Sequence, residues 1–80
     1  MCVNVRLFAS YREAAGTSRL ATPLPRGARV ADLVELLSVR LPGLKKAPGM
    51  VAVNHTYVNA DFSLTDGDEV ALIPPVSGGA

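Results

Sequence analysis

The sequence has little of what most active sites are built from. Its 80 residues include one cysteine, one histidine and no tryptophan. The single cysteine, Cys2, excludes an internal disulfide and a cysteine-rich metal or iron–sulfur site. The histidine, His55, has no histidine or cysteine near it in the chain, which favours a solvated side chain over a metal ligand. No motif joins Cys2 to His55, so an activated cysteine nucleophile is not predicted.

The sequence also has no large excess of positive or negative charge and no long apolar run. Eight basic and seven acidic side chains leave a formal net charge of +1, which provides no field to attract nucleic acid or anionic lipid. No apolar run could span a bilayer, and the alternating residues 1–6 lack the apolar core of a signal peptide. Glycine-rich nucleotide-binding spacings are missing as well. These absences predict a cytoplasmic protein with no nucleic-acid and no membrane partner.

Alternation of apolar and polar residues predicts the strands. They cover residues 3–7, 20–24, 50–53, 57–58 and 70–73. Pro23 has no N–H to give to a ladder, which predicts that the second strand lies at an edge. Phe62 and Leu64 are expected to anchor the loop before the last strand.

Two segments have helical signals. Ser10 and Glu13 fit a capping box, and Gly16 stands where a helix of residues 11–15 would end. Residues 28–41 form the longer amphipathic helix, whose apolar stripe consists of Val30, Leu33, Val34, Leu37 and Leu41. Leu36 and Val39 lie off this stripe and are expected to be exposed. One such helix covers one face of one sheet, which predicts a two-layer α+β domain, without fixing the strand order.

Three carboxylates, those of Asp66, Asp68 and Glu69, cluster around Gly67. A calcium-type site would need more oxygen ligands at regular spacing, so a tight turn is the better interpretation and no metal site is predicted.

The C-terminus carries the strongest functional signal. Pro74 and Pro75 end the last predicted strand because neither residue has a backbone N–H. Gly78 and Gly79 follow closely, and without Cβ atoms they could lie in a narrow channel of another protein. A bare carboxylate is a poor electrophile, but once activated, for instance as an acyl-adenylate, it could be passed to sulfur or an amine. We therefore expect a domain over residues 1–75 and a flexible tail over residues 76–80.

Three stretches together resemble a known family. They are residues 8–16 (Phe-Ala-x-x-Arg-Glu-x-x-Gly), residues 51–54 (Val-Ala-Val-Asn) and, most specifically, residues 66–79, which end in Ile-Pro-Pro-Val-Ser-Gly-Gly. The sequence resembles the small subunit of molybdopterin synthase, in the MoaD/ThiS family of ubiquitin-like sulfur carriers. The resemblance implies a β-grasp fold: a mixed sheet of four to five strands, the first and last side by side, with one main helix packed across it.

The resemblance also implies a mechanism and partners. An E1-like (MoeB-like) enzyme that uses ATP would adenylate the terminal glycine, and a sulfur-donating sulfurtransferase would lead to a thiocarboxylate. The tail would then enter the large synthase subunit (MoaE-like) and deliver sulfur to cyclic pyranopterin monophosphate, forming the dithiolene of molybdopterin. The chain would bind no cofactor itself and would not be catalytic alone.

Residue roles follow from the same resemblance. Gly79 would carry the thiocarboxylate, and Gly78 would thread the partner's channel. The residues implied to contact partners are Phe8, Tyr57, Ile73, Pro74, Pro75 and Val76; for Phe8 a place in the core is the competing interpretation.

Two positions depart from the family pattern. Arg29 precedes the long helix where the family often has a Thr or Ser cap, a loss that costs about 1 kcal/mol. Ala80 follows the glycine that should end the chain. It is a residue added in cloning, an extension that a protease removes, or a residue that the pathway tolerates.

Other hypotheses for the function of the same tail stay open. The carrier could serve thiamin, cysteine or tRNA thiolation, or the chain could be a ubiquitin-like protein modifier joined to lysines. It could also be an interaction domain whose tail does not react.

If Gly79 carries the reacting carboxylate, protein isolated from its native cell will lack Ala80. A terminal oxygen will also be replaced by sulfur in the thiocarboxylate fraction. Intact-mass spectrometry measures both changes, and a mass that retains Ala80 and never gains sulfur would contradict this assignment.

Overall fold

The strands of the chain form one mixed sheet. The computed structural model describes residues 1–40 and 50–74, and within them the chain forms five strands and two helices. In chain order these are β1 (Cys2–Leu7), α1 (Ala9–Ala15), β2 (Arg19–Pro23), α2 (Val30–Arg40), β3 (Met50–Val53), β4 (Thr56–Val58) and β5 (Glu69–Ile73). Their order across the sheet is β2-β1-β5-β3-β4, which places Pro23 in an edge strand as predicted.

The first and last strands are neighbours in the middle of this sheet. β1 and β5 pair in parallel from Asn4–Glu69 to Leu7–Leu72. The other pairs, β1 with β2, β3 with β4 and β3 with β5, are antiparallel. This is the α+β arrangement of the β-grasp fold, so the fold class implied by the resemblance is confirmed.

The core lies between the sheet and α2. Val3, Val5 and Leu7 of β1 are at most 1% exposed, and Val70 and Leu72 of β5 are fully buried. From α2 come Val30, Leu33, Val34 and Leu37, the predicted apolar stripe, while Leu41 lies outside the described residues. Burying each large aliphatic side chain is worth about 1.5–3 kcal/mol, so this layer is the main source of stability.

The predictions for side chains outside this stripe are partly confirmed. Leu36 and Val39 are exposed, as expected, with Val39 80% exposed. In the loop before β5, Leu64 is buried in the core, whereas Phe62 is 39% exposed and is a weaker anchor than predicted.

The predicted capping box of α1 is wrong. The helix starts at Ala9, its N-cap is Phe8, and no side chain caps it, because Ser10 already lies within the first turn. The turn is made by the backbone instead: Phe8 is extended, Ala9 has a φ of 49°, and the N–H groups of Tyr11 and Arg12 donate to the Phe8 carbonyl at 3.0 and 3.4 Å. The end of α1 is as predicted, with Gly16 left-handed at a φ of 76°.

The start of α2 is satisfied without a Thr or Ser cap. The N–H groups of Val30 and Ala31 donate to the carbonyls of Phe62 and Ala60 at 3.0 and 3.1 Å. The Arg29 N–H donates to Asp32 Oδ2 at 2.8 Å, which is the acidic half of a capping box. The loop before β5 therefore replaces the missing hydroxyl, and the cost expected from Arg29 is offset.

The acidic cluster is a turn, as predicted. Gly67 has a φ of 85°, and the Asp68 N–H donates to the Thr65 carbonyl at 3.0 Å. Asp66 Oδ1 accepts the Cys2 N–H at 2.7 Å, and Asp68 Oδ2 accepts the Thr65 N–H at 2.8 Å. These carboxylates are occupied in holding the backbone.

The described residues contain neither a membrane-spanning helix nor a cluster of metal-ligating side chains. Neither helix described is long and apolar enough to cross a membrane. In residues 1–40 and 50–74 no three His, Cys, Asp or Glu side chains are placed to hold a metal ion. The predicted boundary after Pro75 falls outside these ranges and stays a prediction.

Replacing Asp32 by Ala should lower the free energy of unfolding by about 1 kcal/mol, because the Arg29 N–H loses its acceptor at the helix start. Urea denaturation measures this. Glu35→Ala is the matched control, since it removes the same charge from the next turn of α2, and its effect should stay within about 0.5 kcal/mol. Equal losses in the two variants would contradict the capping role of Asp32.

Candidate functional site

The candidate site lies on the face of the sheet opposite α2. Side chains alternate between the two faces of a strand, so the neighbours of the core residues project to the other side. There they surround a shallow depression of about 260 Å³. Its lining consists of Arg6, Phe8, Ala52, His55, Tyr57, Glu69, Ala71 and Ile73.

The structure brings together three of the residues that the resemblance implied as partner contacts. Phe8 follows β1, Tyr57 lies in β4 and Ile73 ends β5, yet all three line this depression. Phe8 is 37% exposed and Tyr57 63% exposed. The competing interpretation, that Phe8 belongs to the core, is therefore wrong. Their partner-binding role remains a prediction.

Small side chains form the floor of the depression. Ala52 of β3 pairs with Tyr57 on one side and with Ala71 of β5 on the other. Ala52 is only 8% exposed although it lies on the open face, in a strand that has a neighbour on each side. Two adjacent alanines keep the middle of the face low, so that a side chain from another protein could enter between Tyr57 and Phe8.

Sequence reasoning missed several residues of this face. Met50 is 46% exposed and pairs with Ile73, so it extends the apolar surface toward the end of β5. Ala52 and Ala71 were not predicted either. The alternation within β3 and β5 contained a signal, since these residues occupy the positions between core residues, but the sequence did not show which strands are adjacent.

Charged groups edge the apolar surface. Glu69 lies between two nitrogen-bearing side chains: its Oε2 is 3.7 Å from an Arg6 Nη, and its Oε1 is 3.8 Å from His55 Nε2. The Arg6 guanidinium also lies 5.6 Å from the centre of the Phe8 ring, within the range of a cation–π contact. The His55 side chain is 84% exposed, which agrees with the prediction that it is solvated. Such exposed pairs contribute little stability, so they define a polar border rather than a structural tie.

The C-terminal strand leads the chain to this face. β5 is the middle strand of the sheet, and Ile73 and Pro74, both half-buried, are its last described residues. Because β1 runs parallel to β5, Phe8 lies at the same end of the sheet, and Met50 flanks that end from the other side. The other nominated residues, Pro75, Val76, Gly78 and Gly79, lie outside the described residues.

The fold and the site together define a class of protein, the ubiquitin-like β-grasp domains. In this chain the last strand contributes to a partly apolar sheet face and is followed in the sequence by Gly-Gly. Residues 5–79 match the ThiS family, and the chain belongs to that family. It is 39% identical, over 99% of its length, to the whole molybdopterin synthase sulfur carrier subunit of Chlamydomonas reinhardtii. It is also 39% identical to the Escherichia coli K12 protein of that name, with 96% of this chain and 99% of that protein covered.

Solved structures agree with this assignment. A putative molybdopterin converting factor subunit 1 from Pyrococcus furiosus superposes with a TM-score of 0.85 at 37% identity, covering 95% of this chain and 99% of that one. A chain from the Helicobacter pylori complex of molybdopterin-converting factor subunits 1 and 2 matches with a TM-score of 0.67 at 28% identity, covering 99% and 100%. Small archaeal modifier protein 1 of Methanosarcina acetivorans matches with a TM-score of 0.80 at 31% identity, covering 98% and 96%.

Adjacent residues of β5 test the two faces of the sheet. Leu72→Ala should lower the free energy of unfolding by about 2–5 kcal/mol, because Leu72 is fully buried beneath α2. Ile73→Ala should cost about 1 kcal/mol, because its side chain lies on the open face and is half-buried. Urea titrations of both variants give the comparison. A larger loss for Ile73→Ala would mean that the open face is part of the folding core.

Proposed function

We propose that this protein is the sulfur carrier subunit of molybdopterin synthase. The observation that carries the proposal is the near full-length match to proteins of that name, which extends through Gly79. The described structure is compatible with it, because an open, partly apolar depression lies on the sheet face to which the end of β5 contributes Ile73.

The proposed chemistry takes place at the tail. An ATP-using, E1-like enzyme converts the Gly79 carboxylate into an acyl-adenylate, with pyrophosphate as the product. Sulfur at the oxidation level of sulfide, provided by a sulfurtransferase together with a thiol reductant, then displaces AMP and leaves a thiocarboxylate. The thiocarboxylate donates its sulfur to cyclic pyranopterin monophosphate in the active site of the large subunit. The carrier binds no cofactor in this scheme, and we place the reactions in the cytoplasm.

The role of this chain in the scheme is to present the tail. Pro74 and Pro75 lack the N–H that a sheet ladder requires, and proline rings restrict φ, which favours an extended backbone. Gly78 then allows close approach of a channel wall. The surface of Phe8, Tyr57 and Ile73 is the proposed contact with the large subunit, and Pro74, Pro75 and Val76 continue it along the tail. The Helicobacter pylori complex of the two subunits supports a large-subunit partner for this family of chains.

A second candidate function is a ubiquitin-like modifier. The likeness to small archaeal modifier protein 1 favours it specifically. The same activated glycine would then form an isopeptide bond with a lysine, and lysine-linked adducts in native extracts would identify this use. A thiamin, cysteine or tRNA thiolation pathway would keep the thiocarboxylate and change only the acceptor.

Reconstitution tests the primary proposal. The chain trimmed to Gly79 and converted to the thiocarboxylate should form molybdopterin from cyclic pyranopterin monophosphate when mixed with the large subunit. A chain ending at Gly78 is the control, and it should be inactive because it lacks the reacting residue. No product from the thiocarboxylated chain would show that the assignment to this pathway is wrong.

Tyr57→Ala should weaken binding to the large subunit by about tenfold, since tyrosine is enriched among the residues that contribute most to the binding energy of protein interfaces. The variant should remain folded because the Tyr57 side chain is 63% exposed. Val39→Ala is the control: Val39 is also exposed but lies on α2, on the other side of the sheet, and should bind normally. Isothermal titration calorimetry measures both, and equal affinities would remove Tyr57 from the interface.

A further inference from the structure

A second depression lies beside the apolar one, between β1 and β2. It has a volume of about 320 Å³ and is lined by Asn4, Arg6, Arg19, Leu20, Ala21 and Glu69. Arg6 and Glu69 line both depressions, so the two form one continuous surface. The apolar part is therefore extended toward β2 by a part that contains two arginines.

These arginines face each other across the two strands. Arg6 of β1 is the register partner of Arg19 of β2. The Leu7 N–H donates to the Ser18 carbonyl, so the alternation of an antiparallel ladder makes Arg6 and Arg19 a non-hydrogen-bonded pair, in which side chains are closest. Like charges directly opposite each other destabilise a sheet. The local sequence thus contains a repulsion that folding alone does not explain.

The nearby carboxylate neutralises this repulsion only in part. Glu69 makes an ion pair with Arg6 and also faces His55. Arg19 is exposed, and within residues 1–40 and 50–74 it has no salt bridge. Two guanidiniums and one carboxylate leave this end of the face positive, next to the apolar surface.

We propose that Arg6 and Arg19 form a carboxylate-binding subsite that receives an Asp or Glu side chain of the large subunit. This rests on the proposed function. Charge complementarity and continuity with the apolar face carry it: a partner seated over Phe8 and Tyr57 reaches the arginines without leaving the surface. A carboxylate placed between two guanidiniums accepts hydrogen bonds from both and offsets their repulsion. The repulsion between Arg6 and Arg19 therefore destabilises the free carrier but not the complex.

The test is the affinity of the full chain for the large subunit from the same organism, measured by calorimetry at low and high salt. Arg19→Glu should weaken binding on the order of tenfold at low salt, because a carboxylate would then meet a carboxylate. The difference should shrink at high salt, where exposed charges are screened. Arg26→Glu is the matched control. It makes the same charge change in an exposed loop. This loop lies near the start of β1, where the Leu24 N–H donates to the Met1 carbonyl. Arg26→Glu should therefore leave the affinity within about twofold.

Thermal stability separates docking from folding. Arg19→Glu places an opposite charge across from Arg6, so its Tm should equal or exceed that of the parent chain while its affinity falls. Unchanged affinity of Arg19→Glu, with normal binding by the parent chain, overturns the subsite and leaves the proposed function intact. Equal weakening by Arg26→Glu overturns it too, because the effect would then be one of net charge. Failure of the parent chain itself to bind overturns the proposed function, and the subsite with it.

Discussion

The parallel pairing of β1 with β5 is the contact on which the rest of the molecule depends. It joins the two ends of the chain, from Asn4–Glu69 to Leu7–Leu72, and so places the last strand in the middle of the sheet. Because the two strands point the same way, Phe8 and the exit of β5 lie at one end. β5 has a neighbouring strand on each side up to Leu72, and Ile73 still pairs with Met50 of β3. The proposed reactive tail therefore follows the central strand of the sheet.

Because side chains alternate along each strand, the two faces of the sheet have different roles. One face is closed by α2, and its aliphatic residues supply the stability of a domain that is near the lower size limit for independent folding. The other face retains Phe8, Met50 and Tyr57 in partial contact with solvent, although each would contribute to stability if covered. Leaving these side chains uncovered is consistent with the proposed docking of the large subunit on this face.

The loops are held to these layers by backbone hydrogen bonds and by the side chains of a few Asp and Asn residues. The carbonyls of Ala60 and Phe62 close the start of α2, and Asp66 and Asp68 hold the turn that leads into β5. Asn54 adds a second tie: its side chain donates to Asp68 Oδ1 at 3.0 Å and accepts the Glu69 N–H at 3.0 Å. The entry to β5 is therefore anchored to the β3–β4 turn, which helps to keep Tyr57 and Ile73 on one surface.

Much of the local structure could be predicted from the sequence, because its signals depend on near neighbours in the chain. Alternation located the strands, helical spacing located the stripe of α2, and Gly16 and Gly67 marked an ending and a turn. The predicted start of α1 was wrong. Ser10 fitted the pattern of a capping residue, but the backbone turns earlier, at Phe8 and Ala9. Only the resemblance suggested Phe8, Tyr57 and Ile73 as contact residues, and it did not suggest such a role for Met50, Ala52 or Arg19. By itself, the sequence determined the type and extent of most elements and the chemistry available at the tail. Tertiary structure decided which strands became neighbours, which face stayed open and which charges came to face each other, because these depend on pairings between residues far apart in the chain.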